Sequence, residues 1–132
     1  MKAKKFSFKS RLASFRFAMN GLWSLLKYEH NSRIHLAVAI TAIILGMMLK
    51  LNSYEWSIII ILIGIVFITE LLNSALESLA DVTNPDLNEL IKKAKDYSAA
   101  AVLVSAIISV VIGMIIFIPR ILNLIFTLPV IK

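Results

Sequence analysis

The sequence predicts an all-α integral membrane protein with three transmembrane helices, preceded by an N-terminal amphipathic helix on the membrane surface. Of its 132 residues, 59% are hydrophobic and 17% are charged, against roughly 25% charged residues in ordinary soluble domains. Three apolar runs approach the length that crosses a bilayer, and short polar segments separate them. The chain contains no cysteine, which excludes a disulfide framework and a cysteine-ligated metal site. The composition therefore argues against a soluble globular protein.

The amphipathic helix is predicted over residues 8–28. Its apolar residues recur at steps of three and four and form one stripe: Phe8, Leu12, Phe15, Met19, Leu22 and Leu26. The basic residues off that stripe are Lys9, Arg11, Arg16 and Lys27. Such a helix usually lies in the membrane interface, although the same pattern would suit a helix packed against partner helices. The two tryptophans, Trp23 and Trp56, are interpreted as interfacial anchors.

The three spans are predicted at about residues 34–50, 54–81 and 96–118. The first is short, and it crosses a bilayer only if His35 and Lys50 extend to the two interfaces. The third is uncharged from Tyr97 to Ile118, which makes a helix of about 33 Å. We expect this helix to stop at Pro119 and residues 119–132 to form a tail.

The distribution of basic residues predicts the orientation. The segment before residue 34 and the predicted loop 82–95 carry most of the Lys and Arg, whereas the turn 50–55 carries only Lys50. The positive-inside rule therefore places the N-terminus and the 82–95 loop in the cytoplasm. Because the basic groups separate apolar runs and do not cover a folded polar surface, we expect no nucleic-acid partner.

Four polar residues follow the uncharged start of the second span: Glu70, Asn73, Glu77 and Asp81. At 100° per residue, Glu77 and Asp81 fall within about 20° of Glu70, and Asn73 lies about 60° away. Counted from Trp56 at the outer interface, Glu70 is about 21 Å along the helix, inside the bilayer. An ionisable residue at that depth is costly and usually functional.

Two further polar clusters are expected at the same cytoplasmic boundary. One consists of Lys92, Lys93, Lys95 and Asp96, and the other of Glu29, Asn31 and Arg33. Each has a simple structural explanation, such as lipid headgroup attraction, a helix N-terminal charge or an interfacial turn. Together, however, acids that can hold Mg²⁺ and a lysine that can contact phosphate are the parts that phosphoryl transfer requires.

The spacing alone leaves other functions open. No Walker A pattern and no kinase glycine-rich loop is present, so a soluble type of nucleotide site is excluded. A small proton- or ion-coupled transporter with Glu70 as the relay fits the residues nearly as well. A structural or regulatory subunit is a third possibility, in which Glu70 would be dispensable.

The polar stripe resembles a known signature. The pattern E-x-x-N-[ST]-A-x-E-x-x-x-D from Glu70 to Asp81 resembles that of the bacterial integral-membrane lipid kinases, which are the prokaryotic diacylglycerol kinases and the related undecaprenol kinases. Further blocks match at Asn20-Gly21-Leu22, at Glu29 with Asn31 and Arg33, and at Ala94-Lys95-Asp96 followed by Ala99 to Leu103. The resemblance covers about residues 10 to 118.

The resemblance implies a homotrimer of three-span subunits in the bacterial inner membrane, with sites shared between neighbours. It implies MgATP-dependent phosphorylation of a lipid alcohol at the cytoplasmic face. The lipid would be diacylglycerol, giving phosphatidic acid, or undecaprenol, giving undecaprenyl phosphate. The ending from Ile115 to Arg120 is closer to the undecaprenol kinases.

The resemblance also assigns roles to residues. Glu70 would be the catalytic base, and Glu29 and Glu77 would hold Mg²⁺. The residues expected to contact ATP are Phe17, Glu29, Asn73, Glu77, Asp86, Asn88, Lys95 and Asp96. Those expected to contact the lipid are Arg11, Trp23, Asn31, Arg33, Glu70 and Ala99. Phe17 stands where some members have tyrosine, so a hydroxyl contact there is lost or unnecessary.

Overall fold

Four helices make up the described part of the chain. The computed structural model describes residues 7–82 and 89–127, and the helices are α1 (Phe8–Tyr28), α2 (His30–Met48), α3 (Ser53–Val82) and α4 (Glu89–Thr127). By length and composition, α2, α3 and α4 can each cross a membrane. The prediction of an all-helical chain with three candidate membrane-spanning helices is therefore confirmed for the described residues.

A single extended residue separates α1 from α2. Glu29 has φ −91° and ψ 119°, which ends the first helix and starts the second. The guanidinium of Arg33 turns back and donates to the carbonyls of Leu26 at 3.1 Å and Lys27 at 2.7 Å. These carbonyls belong to the last turn of α1 and have no partner within the helix. α1 has the predicted bounds, whereas α2 begins four residues before the predicted start, at His30.

The turn from α2 to α3 is a Schellman motif. Lys50 adopts a left-handed conformation with φ 53°. Its N–H donates to the carbonyl of Met47 at 3.3 Å, and the N–H of Leu51 donates to that of Gly46 at 3.1 Å. This pattern satisfies the last carbonyls of α2. Gly46 also lets the helices approach, because a Cβ at this position would lie 2.9 Å from the indole of Trp56.

A capping box opens α3, and it extends to α4. Asn52 Oδ1 accepts the N–H of Glu55 at 3.0 Å, and Glu55 Oε2 accepts the N–H of Asn52 at 2.8 Å. The same carboxylate receives both arms of Arg120, at 2.7 and 3.2 Å. A bidentate pair of this kind fixes direction as well as distance. The last part of α4 is therefore anchored to the first turn of α3.

The bounds of the third span differ from the prediction at both ends. The helix does not stop at Pro119, since α4 continues through it to Thr127. A proline removes one backbone hydrogen bond, and tertiary contacts on either side hold the helix here: Ile116 is buried against α3 and Arg120 binds Glu55. At its start, α4 begins at Glu89 and not near residue 96, so the lysine cluster lies on the helix. At 1.5 Å per residue α4 is about 58 Å long and exceeds a bilayer core.

The core is small and lies between α3 and α4. Leu51, Ile59 and Ile116 form its buried centre, and Trp56 and Phe117 pack against it. Most other large apolar side chains of the described residues are exposed in the single chain. Exposed apolar surface on this scale indicates surroundings of lipid or other protein chains. The apolar core thus lies toward the end of the bundle that holds the Arg120–Glu55 pair, and the residues of the polar stripe on α3 lie toward the other end.

Candidate functional site

Glu70 is the most deeply buried charged residue of the described chain, with 2% exposure. Two side chains from the first turns of α2 face its carboxylate. The Ser32 hydroxyl donates to Oε2 at 3.3 Å, and Nε2 of His35 lies 3.1 Å from Oε1. Oε1 accepts no hydrogen bond from the described residues. A buried carboxylate with an unused oxygen is costly, and such groups usually serve a function.

One turn further along α3, Asn73 is fixed from two sides. Its amide nitrogen donates to Glu77 Oε1 at 2.9 Å. Its amide oxygen lies 2.7 Å from the hydroxyl of Ser98 on α4, which also lies 2.9 Å from the carbonyl of Lys95. Asn73 therefore presents a defined orientation between two helices. The hydrogen bond between Asn73 and Glu77 is consistent with the predicted polar stripe on one side of α3.

Glu29 approaches the same turn of α3 from the α1–α2 junction. Ser74, the neighbour of Asn73, donates its hydroxyl to Glu29 Oε1 at 3.3 Å. Glu29 and Glu77 are therefore both held against the turn that begins at Asn73. No group of three or more His, Asp or Glu in the described residues is placed to hold a metal ion. Two carboxylates nevertheless fit Mg²⁺, which usually takes one or two protein carboxylates and completes its shell with phosphate oxygens and water.

Lys95 and Asp81 close this end of the bundle. The Lys95 ammonium lies 2.9 Å from Asp81 Oδ1, and their side chains are 33% and 67% exposed. An exposed pair of this kind contributes at most about 1 kcal/mol to stability. The pair therefore mainly fixes where the lysine lies, at the junction of α3 and α4.

The other predicted contacts occupy exposed positions in the single chain. They are Arg11, Phe17, Trp23, Asn31, Arg33, Asp96 and Ala99. Arg33 has a structural role, since it caps α1. Asp86 and Asn88 lie outside the described residues. The roles assigned to all of these residues stay predictions.

Sequence patterns did not identify four side chains of the site. Ser32, Ser74 and Ser98 hold the three acidic or amide groups, and His35 faces Glu70. His35, which the sequence analysis expects to extend to the membrane interface, lies against Glu70 with its side chain 21% exposed. A signal existed for this pair: Ser32 and His35 are three residues apart and so share a helix face.

An apolar groove leads along the bundle to His35. It has a volume of about 580 Å³ and runs between α2, α3 and α4. His35 and Val66 line it near the polar end of the bundle, and Leu45, Ile59 and Phe117 line it near the other end. The size is that of an ordinary small-molecule site, and the lining suits a hydrocarbon chain.

The chain is similar to known proteins over most of its length. The profile of the family described as prokaryotic diacylglycerol kinase matches residues 16–117. The undecaprenol kinase of Bacillus subtilis is 42% identical over 107 residues, which cover 81% of this chain and 87% of that protein. The diacylglycerol kinase of Synechocystis is 37% identical over 114 residues, which cover 86% of this chain and 65% of that protein. The diacylglycerol kinase of Helicobacter pylori is 31% identical over 100 residues, which cover 76% of this chain and 78% of that protein.

These matches confirm the resemblance that begins at the Glu70 signature, and they disfavour a transporter. At the polar end of the bundle, acids and the amide of that signature meet Glu29 from the α1–α2 junction and Lys95 from α4. The chain is a lipid kinase homologue and belongs to the prokaryotic diacylglycerol kinase family.

Proposed function

We propose that this chain transfers the γ-phosphate of ATP to the hydroxyl of a membrane lipid alcohol, with Mg²⁺ as the metal. The observation that carries the proposal is the Glu70 carboxylate, which is 2% exposed and keeps one oxygen, Oε1, without a hydrogen bond. A base for a lipid hydroxyl must lie at bilayer depth, and it needs a free lone pair. Two features of Glu70 support this role: its position about 21 Å along the helix from Trp56, and the oxygen that accepts no hydrogen bond.

In the proposed reaction, Glu70 Oε1 removes the hydroxyl proton as the lipid oxygen attacks the γ-phosphorus. A new P–O bond forms to the lipid, the bond to the β-phosphate oxygen breaks, and ADP leaves with that electron pair. Asn73, held by Glu77 and Ser98, would orient the phosphate. Lys95 would approach the γ-phosphate from the start of α4. Positioning and charge stabilisation supply most of the catalysis in such transfers.

Glu29 and Glu77 would hold Mg²⁺, because both are fixed against the same turn of α3. When bound there, Mg²⁺ would supply positive charge that offsets the negative charge developing on the phosphate during the transfer. The two acids come from different segments of the chain, so their approach depends on the α1–α2 junction. Substitution of either acid should therefore raise the Mg²⁺ requirement.

The lipid would enter sideways from the bilayer, and ATP would arrive from the cytoplasm. The apolar groove supports this arrangement, since it extends from His35 along the membrane-crossing part of α2, α3 and α4. One hydrocarbon chain of the lipid would lie in it. The positive-inside rule supports a cytoplasmic N-terminus and polar end, in the inner membrane of a bacterium.

We propose a homotrimer in which neighbours complete each site. Three helices hardly enclose both a nucleotide and a lipid, and several predicted contacts, such as Phe17 and Trp23, are 70% exposed in one chain. α1 would lie in the membrane interface, where its exposed stripe from Phe8 to Leu22 would contact lipid.

Undecaprenol is the preferred substrate in this proposal, and diacylglycerol is the second. The support is the 42% identity to a protein named undecaprenol kinase, which is aligned over 87% of its length. The ending from Ile115 to Arg120 supports the same choice.

The test is a transfer assay on purified protein in lipid-containing micelles. Mg²⁺ and γ-labelled ATP are supplied with undecaprenol, with diacylglycerol, and with both in competition. Glu70→Gln removes the base, and Glu89→Gln is the matched control, because Glu89 is an exposed acid at the start of α4. Label on a lipid with wild type and the control, but not with Glu70→Gln, supports the proposal. No label on either lipid from a folded oligomer would overturn it.

A further inference from the structure

The carboxylate of Glu70 faces a histidine that the transfer reaction, as described, does not use. Nε2 of His35 lies 3.1 Å from Oε1, the oxygen that accepts no hydrogen bond. The side chain of Glu70 is 3% exposed, whereas that of His35 is 21% exposed. His35 also lines the apolar groove, and Glu70 does not. The imidazole of His35 therefore lies between the buried carboxylate of Glu70 and the more exposed part of the protein.

Each turnover would leave a proton on Glu70, and Glu70 must lose that proton before the next turnover. A protonated carboxyl at 2% exposure has little direct access to water. Its other neighbour, Ser32, already donates its one hydroxyl proton to Oε2. A serine hydroxyl is also a far weaker base than an imidazole, which gains and loses protons readily near neutral pH.

We propose that His35 accepts the proton that Glu70 takes from the lipid hydroxyl and passes it to water. The inference rests on the proposed function and deepens it. With the N–H of the neutral imidazole on Nδ1, the lone pair of His35 Nε2 is free to accept the proton from Glu70 Oε1. This transfer restores the carboxylate and leaves an imidazolium. The imidazolium then loses a proton to water, so the net release is the single proton that the transfer from ATP generates.

The 3.1 Å separation is within the range for a proton-transfer contact. Because Oε1 accepts no hydrogen bond from the described residues, that oxygen stays open to the lipid hydroxyl. A rotation of the imidazole about its Cβ–Cγ bond brings Nε2 into line after the proton has arrived. His35 is in this account a proton-accepting and positioning residue, and it does not touch the phosphorus.

The activity test compares His35→Gln and His35→Ala with the matched control His30→Gln. His30 is an exposed histidine on the same helix, five residues before His35. We expect His35→Gln to lower kcat by about 10²-fold, with the KM for ATP within about threefold of wild type. Added imidazole should restore part of the kcat of His35→Ala. A glutamine variant within about threefold of the wild-type kcat would overturn the proposal, since glutamine can donate a hydrogen bond but cannot accept the proton.

A second measurement does not depend on activity. The chain has two histidines, so ¹⁵N-histidine labelling gives two imidazole spin systems, and His30→Gln assigns them. Glu70→Gln should shift the ¹⁵N signals of His35 and leave those of His30 in place. Unchanged signals would show that the contact does not exist and would overturn the inference. If the His35 signals shift but wild-type protein phosphorylates neither lipid, the proposed function fails and the relay fails with it, while the contact remains established. If the His35 signals shift but His35→Gln is fully active, the proton relay is refuted and the proposed function is not.

Discussion

Glu70→Gln should abolish catalysis and at the same time make the protein more stable. The carboxylate is 2% exposed, its one hydrogen bond from Ser32 is long at 3.3 Å, and Oε1 has none. A buried polar group without a partner costs about 1–3 kcal/mol, and more if it is charged. Glutamine keeps the shape, removes the charge, and brings an N–H₂ group that can donate to His35. We therefore expect the free energy of unfolding to rise by about 1–3 kcal/mol, while kcat falls by at least about 10²-fold.

Reversible unfolding by SDS titration in mixed micelles, followed by circular dichroism, measures the stability of the same samples used for activity. Glu89→Gln is the control, and its unfolding free energy should change by less than about 1 kcal/mol because Glu89 is exposed. Destabilisation of Glu70→Gln by more than about 3 kcal/mol would refute the reasoning, because it would mean that the mutation breaks a buried ion pair with a charged His35. That result would also contradict the proton relay, which needs a free lone pair on His35 Nε2.

Three further predictions follow from single contacts. Ser98→Ala removes the donor to Asn73 Oδ1. It should raise the KM for ATP several-fold and destabilise by about 1 kcal/mol, whereas Ser98→Thr, which keeps the hydroxyl, should restore the KM. Lys50→Gly removes the strain of a non-glycine residue at φ 53°. The free energy of unfolding in SDS should rise by about 0.5–1 kcal/mol, and a fall would contradict the left-handed turn. Gly46→Val places a Cβ 2.9 Å from Trp56, so it should destabilise by about 1–3 kcal/mol, with kcat unchanged in the folded fraction because the contact is at the far end from Glu70.

The sequence predicted the helices well where local chemistry determines them. The stripe that starts at Phe8 gave α1 its observed bounds, and the apolar runs gave three spans. The predicted start of α2 is too late because composition marks only the apolar run. The hydrogen bond from Arg33 to the end of α1 cannot be recognised from composition. The continuation of α4 through Pro119 could not be predicted either. It depends on Arg120 meeting Glu55, which lies 65 positions earlier in the chain and contacts it only after α3 and α4 have packed.

The candidate site divides in the same way. Glu70, Asn73 and Glu77 could be found because helical periodicity places them on one side of a single helix. Ser98 could not, because an isolated serine in an apolar span has no local signal and meets Asn73 only across the α3–α4 contact. For the same reason, His35 could be assigned to a membrane interface by sequence, although the fold places it against Glu70.

The measurement that tests the central claim most directly is the transfer of label from γ-labelled ATP to undecaprenol by wild type and by Glu70→Gln under identical conditions. The account predicts labelled undecaprenyl phosphate from wild type and a rate lower by about 10²-fold or more from the variant, in protein of unchanged oligomeric state. Equal rates would contradict the assignment of Glu70 Oε1 as the base on which every other step of the account depends.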